Sequence, residues 1–232
     1  MPIRYYFSGF DREAGFPKAL AAHLRQDIKG RNKLTFIPSG FSFEEKNEAY
    51  SKGFTETFLK AGFQFGNVVL LRKSMAPKEM QAHIDTSDAV YLLGGNPNTQ
   101  LDILCQNALA CSLRKTSAVV MGMSAGAMCM SRYSLLLPVS EEYPAMDIRA
   151  GMNLSGLSIY PHYNSNGEVL EVYDDGDEQT KKSDLVYVSH KYGDFYLLPD
   201  NSEIREQNGK ITFIGKIIIH AENGVFRLIK SK

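Results

Sequence analysis

The chain has 232 residues, of which 44% are hydrophobic, and its 26 basic residues balance its 26 acidic ones. This length suits one large α/β domain, and since neither a repeat nor a linker is evident we expect residues 1–232 to form a single domain. The balanced charge excludes an electrostatic footprint for nucleic acid and gives no reason to expect binding to a membrane surface. No apolar stretch is long enough for a membrane span or a signal peptide.

The N-terminal half alternates predicted strands with predicted helices. Short apolar runs predict strands at residues 3–7, 34–37, 67–71, 89–93 and 118–121. Helical spacing and helix-start signals predict helices at residues 16–28, 44–61, from 76 onward, and at 101–113. This alternation implies βαβ crossovers and a mostly parallel, doubly wound sheet. Ligands of such sheets bind at the carboxyl ends of the strands.

The C-terminal half has a different pattern. Residues 131–155 are rich in loop-forming residues, 156–160 predict a short strand, and 163–182 predict an exposed loop or a poorly ordered helix. Further short strands are predicted at residues 185–189, 195–198, 203–207, 211–214, 217–220 and 225–229. Asn208-Gly209 predicts a two-residue hairpin turn between two of them. An antiparallel edge on a parallel core is therefore expected.

The pattern Gly122-Met123-Ser124-Ala125-Gly126 follows a predicted buried strand. A strand, a sharp turn and a helix around G-x-S-x-G describe a nucleophile elbow, which presents a serine hydroxyl at a helix N-terminus. The glycines suit a strained backbone beside which no side chain fits. The alternative is an ordinary turn whose serine caps the helix. The preceding strand favours a nucleophile.

Five histidines are candidates for the base that a serine nucleophile needs within hydrogen-bond reach. His23 and His83 lie on predicted helices, whereas His162, His190 and His220 end predicted strands. His162 also follows a proline and opens a loop, which suits a base presented from a rigid support. His162 is thus the first candidate, and His190 and His220 stay open on position.

A carboxylate must hold the imidazole of such a base in the correct tautomer. Asp200 directly follows a predicted strand, and Glu142, before Tyr143-Pro144, is its rival. The acidic run at residues 174–178 lacks the pattern of a calcium-binding loop and is interpreted as solvated. The three cysteines have no zinc-ligand spacing. We therefore expect a cytoplasmic protein with neither a metal nor another cofactor.

The segment Gly94-Gly95-Asn96 also follows a predicted strand. It lacks both G-x-G-x-x-G and the Walker lysine, which argues against a phosphate-binding loop. Two glycines at a strand end can instead offer a backbone N–H to an oxyanion. We expect the N–H groups near Gly95 and of Ala125 to form such a pair.

Together these segments resemble peptidase family S51, which contains aspartyl dipeptidase (peptidase E) and cyanophycinase. The resemblance covers most of the chain, from the first strand to the last hairpins. It rests on residues 92–96 with Gln100, on residues 122–127, on Gly156-Leu157 with Pro161-His162, and on residues 198–200. The candidate substrate-binding residues in the first of these segments are Asn96 and Gln100.

The resemblance implies a three-layer α/β/α sandwich of the class I glutamine-amidotransferase type, with a mostly parallel, doubly wound sheet and antiparallel C-terminal hairpins. It also implies a dipeptidase-like serine peptidase in which Ser124 is the nucleophile and His162 the base. The acid is either Asp200 or Glu142. We rank Asp200 first because the end of a strand gives it a fixed position.

Two departures from the family pattern concern the substrate. Pro97 and Asn98 interrupt the glycine loop before Thr99, and the segment at residues 167–170 lacks the arginine of the family's G-E-T-R-like motif. A preference for an N-terminal aspartate is therefore not carried over to this chain. No arginine lies between Arg149 and Arg205, so lysines or backbone donors would have to bind a substrate carboxylate.

The first functional hypothesis is a serine-type peptidase or amidohydrolase that acts on a small peptide. A monomer and a homodimer are both compatible with it. The alternative is a catalytically inactive S51-like binding or regulatory protein that keeps the elbow as structure. A glutamine amidotransferase would need cysteine at position 124, whereas Cys129 lies more than one turn into the helix.

Overall fold

The computed structural model describes residues 2–137, 145–164, 171–172, 178–215 and 218–229. The strands are β1 (Ile3–Phe7), β2 (Lys33–Ile37), β3 (Asn67–Leu70), β4 (Ala89–Leu92), β5 (Val119–Met123), β6 (Tyr133–Leu136), β7 (Asp147–Ala150), β8 (Ile159–Tyr160), β9 (Tyr163–Asn164), β10 (Glu171–Val172), β11 (Phe195–Leu197), β12 (Ser202–Gln207), β13 (Lys210–Gly215), β14 (Ile218–Glu222) and β15 (Val225–Ile229). The helices are α1 (Lys18–Asp27), α2 (Glu44–Lys60), α3 (Pro77–Asp85), α4 (Pro97–Gln106), α5 (Leu109–Lys115), α6 (Ala125–Met130) and α7 (Glu178–Tyr192).

The main sheet of the described residues has the strand order β13-β12-β1-β5-β4-β2-β3. The five strands from β1 to β3 in this order are parallel, and β12 and β13 join the β1 edge in antiparallel fashion. The predicted hairpin turn connects β12 and β13, with positive φ at both Asn208 and Gly209. The prediction of a mostly parallel sheet with antiparallel C-terminal strands is confirmed.

Helices cover both faces of this sheet. Consecutive side chains of a strand point to opposite faces, and since both sets are apolar here, both faces have to be buried. Tyr5 and Phe7 of β1 pack with buried residues of α1 and α2, whereas Tyr6 packs with residues of α3 to α6. The buried strands are apolar on both faces, as parallel strands between two helical layers are. The predicted three-layer α/β/α arrangement is therefore present.

A second sheet, of strand order β15-β14-β11-β8, is built from the C-terminal part of the chain. Strands β8 and β11 run parallel, with Tyr160 opposite Leu197, and β14 and β15 add antiparallel pairs. Helix α7 packs its buried Leu185 and Val188 against this sheet. The parallel pair matters for the site, since the carboxyl ends of β8 and β11 lie side by side.

The prediction of a strand at residues 185–189 is wrong, because these residues belong to α7. Leu185, Val188 and Ser189 are buried. Their spacing of three and four residues is that of one helix face. A short apolar run does not distinguish a strand from a helix. The same correction moves His190 from a predicted strand end to a helix.

Two further expectations differ from the structure. The single helix predicted at residues 101–113 is two helices, α4 and α5, separated by Ala108 with φ 54°. The region 131–155, expected as loop, contains the antiparallel pair β6 and β7. Within the parts of the chain that the structure describes, none of the helices combines the length and the apolar character needed to cross a membrane.

Candidate active site

Ser124 lies at the sharp turn between β5 and α6, where the sequence placed it. Its backbone has φ 52° and ψ −113°, which L side chains rarely adopt, and its N–H donates to the Phe7 carbonyl at 3.0 Å. A Cβ on Gly122 would lie 2.6 Å from the backbone of Gly126, and one on Gly126 would lie 2.4 Å from the Leu92 carbonyl oxygen. Both glycines are required by close backbone packing. This strand–turn–helix has the geometry of an elbow.

His162 and Asp200 come together because they follow two neighbouring parallel strands. His162 stands after β8 and Asp200 after β11. The pairing continues past the strands, since the Tyr163 N–H donates to the Leu198 carbonyl at 2.9 Å. Parallel strands present their carboxyl ends at one edge. The second sheet therefore delivers both side chains to the end of the main sheet at which Ser124 lies.

The three side chains form a connected set. His162 Nε2 lies 2.8 Å from Ser124 Oγ, and His162 Nδ1 lies 2.8 Å from Asp200 Oδ1. The imidazole and carboxylate side chains are 45% and 41% exposed, so the His162 ring is accessible to solvent. A serine hydroxyl, an imidazole and a carboxylate in this order are the groups of a Ser-His-Asp triad.

The sequence left Asp200 and Glu142 as alternatives for the acid. Asp200 is the carboxylate that contacts the ring of His162. Glu142 lies outside the described residues. Of the other strand-end histidines, His220 contacts Asp194 at 3.0 Å and stacks on Tyr196, and His190 lies on α7. Neither lines the cleft that contains Ser124.

The glycine loop after β4 lies against Ser124. A Cβ on Gly94 would lie 3.5 Å from the Ser124 Cβ, and Gly95, with φ 139°, leaves no room for a side chain beside Ser39. Ala125 is the first residue of α6, so its N–H has no acceptor inside the helix. The loop and the helix start are thus beside the serine, and their role as oxyanion donors stays a prediction.

The structure separates the two candidate substrate-binding residues. Asn96 lines the cleft, but its side-chain oxygen caps α4 by accepting the N–H groups of Asn98 and Thr99. Gln100 is fully buried, and its Nε2 donates to the Ile37 and Leu93 carbonyls at 3.3 and 3.1 Å. The expectation that Gln100 contacts substrate is wrong. It instead ties the ends of β2 and β4 together.

The sequence reasoning missed Ser8, which follows β1. Its hydroxyl lies 2.6 Å from the His162 N–H nitrogen, 2.9 Å from the Leu198 carbonyl oxygen and 3.0 Å from Asp200 Oδ1. Ser8 is fully buried. The signal that could have found it is its place at the carboxyl end of a strand in a parallel sheet.

A cleft of about 580 Å³ opens beside Ser124 and His162. Arg12, from the loop between β1 and α1, and Lys46, on α2, contribute two cations to its wall. The Arg12 guanidinium carbon lies 4.7 Å from the Tyr50 ring centroid, and the Lys46 ammonium lies 5.6 Å from the same ring. Among the described residues, no carboxylate lines the cleft or forms an ion pair with either cation. Arg12 was missed in the sequence because an arginine was sought only between Arg149 and Arg205, and the expectation that lysines or backbone donors would have to bind a carboxylate did not consider this residue.

These observations define a class, an α/β protein in which Ser124, His162 and Asp200 form a Ser-His-Asp arrangement beside a cleft at the carboxyl edge of a mostly parallel sheet. The chain belongs to peptidase family S51, since the model of that family matches residues 7–214. It is thus a member of a family of peptidases, and the resemblance seen in the sequence is confirmed.

Two solved structures share the fold. A peptidase from an acI-B1 actinobacterium is 14% identical, with a TM-score of 0.73, covering 100% of this chain and 95% of that one. A peptidase E-like protein from Listeria monocytogenes EGD-e is 17% identical, with a TM-score of 0.65, covering 93% of this chain and 98% of that one. A search of curated proteins finds no significant match.

Proposed function

We propose that this protein is a serine-type peptidase or amidohydrolase that cleaves a small peptide through an acyl-enzyme on Ser124. The observation that carries the proposal is the position of His162. Its Nε2 lies 2.8 Å from Ser124 Oγ, and its Nδ1 lies 2.8 Å from Asp200 Oδ1. A serine hydroxyl is a weak nucleophile until a base can take its proton, and this contact provides the base.

The proposed reaction begins with proton transfer from Ser124 Oγ to His162 Nε2. Asp200 favours the tautomer with a proton on Nδ1, which leaves Nε2 free to accept, and it stabilises the imidazolium that forms. Ser124 Oγ bonds to the substrate carbonyl carbon, and the carbonyl oxygen becomes an oxyanion beside the N–H groups of Gly95 and Ala125. His162 then gives its proton to the departing amine.

Hydrolysis of the acyl-enzyme repeats these steps with water. His162 takes a proton from the water, which attacks the ester carbon, and the proton returns to Ser124 Oγ when the acid leaves. Two features support a small peptide as the substrate. The cleft of about 580 Å³ accommodates only a few residues, and its two cations, Arg12 and Lys46, can bind a carboxylate.

The chain also contains a buried cysteine near the elbow, which bears on the glutamine-amidotransferase alternative. Cys129 is fully buried, and its Sγ donates to the Pro97 carbonyl at 3.3 Å. Burial holds the pKa of its thiol well above the usual range. A thiol without thiolate character is a poor nucleophile. Ser124 is therefore the better candidate.

Replacement of Ser124 tests the proposal directly. Ser124→Ala should retain the fold and lose hydrolysis of a dipeptide library by at least about 1,000-fold, since the attacking atom is gone. A fluorophosphonate probe should label the wild-type protein at Ser124 and leave the variant unlabelled.

Cys129→Ala is the matched control, because it removes the thiol of the elbow helix and should keep both labelling and hydrolysis. A wild-type protein that resists the probe and hydrolyses no peptide would support the inactive binding or regulatory protein instead. Full activity in Ser124→Ala would refute the assignment of the nucleophile.

A further inference from the structure

The end of β1 contains a polar group for which the proposed reaction has no role. Ser8 is fully buried, yet its hydroxyl contacts three groups, the backbone N–H of His162, the carbonyl of Leu198 and the carboxylate of Asp200. Two of the three belong to the base and its acid. A buried hydroxyl with several partners has a defined orientation, because any unmatched group would cost free energy.

The donor and acceptor roles of these contacts follow from the chemistry of a hydroxyl. Ser8 Oγ has one proton and two lone pairs. It must accept from the His162 N–H at 2.6 Å. Its single proton goes either to the Leu198 carbonyl oxygen at 2.9 Å or to Asp200 Oδ1 at 3.0 Å. Ser8 thus links the main chain of the base to the acid through one atom.

The backbone of His162 needs such a partner. His162 has φ 57°, in the left-handed region that residues other than glycine seldom occupy. Its conformation persists only if the surroundings hold it. The hydrogen bond to Ser8 Oγ holds the N–H of His162, and the bond from Tyr163 to Leu198 holds the next residue.

Gly9, which follows Ser8, also packs against His162 and Asp200. A Cβ on Gly9 would lie 2.8 Å from Asp200 Oδ1 and 3.0 Å from His162 Cε1. The Gly9 carbonyl accepts the Asn201 N–H at 2.7 Å. The chain that follows β1 therefore contacts His162 and Asp200 of the second sheet directly, because Gly9 has no side chain to hold them apart.

We propose that Ser8 is a positioning residue of the active site, which holds the backbone of His162 and the carboxylate of Asp200 in the geometry that Ser124 requires. This inference rests on the proposed function. Without the hydroxyl, His162 loses the acceptor of its N–H and Asp200 loses its contact with Ser8 Oγ. Displacement of a base by as little as an ångström can reduce a rate by about 100-fold.

Ser8→Ala tests the proposal, with Ser131→Ala as the matched control. Ser131 is also fully buried, and its hydroxyl accepts the Ile159 N–H at 3.1 Å and donates to the Ala127 carbonyl at 2.8 Å. Both variants lose a buried hydroxyl that binds a backbone N–H, but only Ser8 touches His162 and Asp200. The readout is the rate of fluorophosphonate labelling of Ser124 as a function of pH.

We expect Ser8→Ala to be labelled on the order of 100-fold more slowly than wild type. The pH profile of labelling should also differ from that of wild type, because the His162–Asp200 pair loses its contact with Ser8 Oγ. Ser131→Ala should keep both the rate and the profile of wild type. In steady-state assays the loss should be in kcat with little change in KM.

Equal labelling rates and profiles in Ser8→Ala and wild type would overturn the inference. If Ser8→Ala does not fold, as judged by circular dichroism, Ser8→Cys takes its place, since a thiol is a weaker donor and acceptor and should slow labelling by a smaller factor. Unchanged labelling of Ser8→Cys would then overturn the inference. Failure of the probe to label wild type would refute the proposed function itself, and this inference with it.

Discussion

At the scale of single residues, the turn at Ser124 depends on two neighbouring glycines that have no side chain, Gly122 and Gly126. Ser124 adopts a backbone conformation with φ 52°, and Gly122 and Gly126 pack where any Cβ would overlap backbone atoms. The strain at the serine persists because β5 and α6 hold the turn on both sides. The absence of side chains at the two glycines brings α6 against β4, so that the helix starts beside the hydroxyl.

Gly126→Ala should therefore disrupt the site through packing. Its new Cβ would lie 2.4 Å from the Leu92 carbonyl oxygen, and backbone atoms of a central strand cannot move aside easily. We expect the free energy of unfolding to fall by roughly 1–3 kcal/mol, the usual cost of overpacking. Urea denaturation would measure it, and labelling of Ser124 should slow in the fraction that stays folded.

The control for this change is Gly53→Ala on α2. A Cβ there would meet only an Arg12 side-chain nitrogen, at 3.9 Å, and alanine is favoured over glycine in a helix. Its free energy of unfolding should rise by up to about 1 kcal/mol. A Gly126→Ala variant as stable as wild type would contradict the close approach of α6 to β4.

At the scale of elements, the site is assembled from two sheets and one helical wall. The elbow and the glycine loop end strands of the main sheet, and His162 and Asp200 end strands of the second sheet. The wall of the cleft comes from α2 and from the loop before α1. Because each element contributes one or two side chains, the residues of the cleft wall can change without change to Ser124, His162 or Asp200.

Arg12 and Lys46 give this wall a testable role. Arg12→Gln and Lys46→Gln should each raise KM by roughly 10- to 100-fold for a peptide with a free carboxylate, because a charge-assisted hydrogen bond contributes about 1.5–3 kcal/mol. Labelling of Ser124 by a neutral probe should not change. Steady-state kinetics on paired substrates, one with a free carboxylate and one amidated, measures the effect.

Lys52→Gln is the charge-matched control, since Lys52 is an exposed residue of α2 that does not line the cleft. The KM values of peptides that carry either a free C-terminal carboxylate or an acidic side chain show which of the two carboxylates is bound. Equal KM values for the free and amidated peptides in wild type would contradict a role for the two cations.

At the scale of the whole molecule, formal net charge is zero, so stability near neutral pH depends on particular buried groups rather than on overall repulsion. Glu203 of β12 is one of them. Its side chain is buried, and neither carboxylate oxygen has a hydrogen-bond partner among the described residues. Burial raises the pKa of Glu203 from 4.5 to about 8. Glu203 is therefore protonated in the folded protein at neutral pH.

Glu203 should make the protein less stable as the pH rises. The folded protein keeps this proton up to about pH 8, whereas the unfolded chain releases it near pH 4.5. The free energy of unfolding should therefore fall between these values, by at most about 1.4 kcal/mol per pH unit. Glu203→Gln, which cannot ionise, should remove this slope and be more stable than wild type near pH 8. Urea denaturation across the pH range measures both.

Glu206→Gln on the same strand should act in the opposite direction. Glu206 is buried against Arg4, with 3.2 Å between the charged atoms, so its loss leaves a buried cation unpaired. We expect a destabilisation of roughly 3 kcal/mol near neutral pH. A wild-type protein whose stability is constant between about pH 5 and 8, and unchanged by Glu203→Gln, would contradict a neutral Glu203.

Asp27 should determine how the free energy of unfolding depends on pH in the acidic range. Burial alone would raise its pKa, but hydrogen bonds from Arg205 and Tyr5 hold the pKa of Asp27 below its usual range. A carboxylate of this kind stabilises the folded protein above the pKa it has in the unfolded chain and ceases to do so as the pH falls. Stability should therefore be greatest in the mildly acidic range.

The success of the sequence-based predictions depended on how local the signal was. The strands β1 to β5 were predicted because each is a short apolar run bounded by turn residues, and Ser124 because its two glycines are neighbours in sequence. Helix α7 was mistaken for a strand because its apolar residues are few and its polar face is long. Ala108 gave no warning of the break between α4 and α5, since alanine favours a helix.

The amino-acid sequence by itself determined the alternation of strands and helices, the elbow around Ser124, and the family to which the chain belongs. Only the tertiary structure decided that Asp200 contacts His162, that Gln100 is buried, that Ser8 contacts His162 and that Arg12 lines the cleft. The physical reason is that periodicity and turn chemistry act between neighbours in the chain. Contacts at the carboxyl ends of two sheets join residues up to about 190 positions apart, and these depend on how strands are ordered and paired.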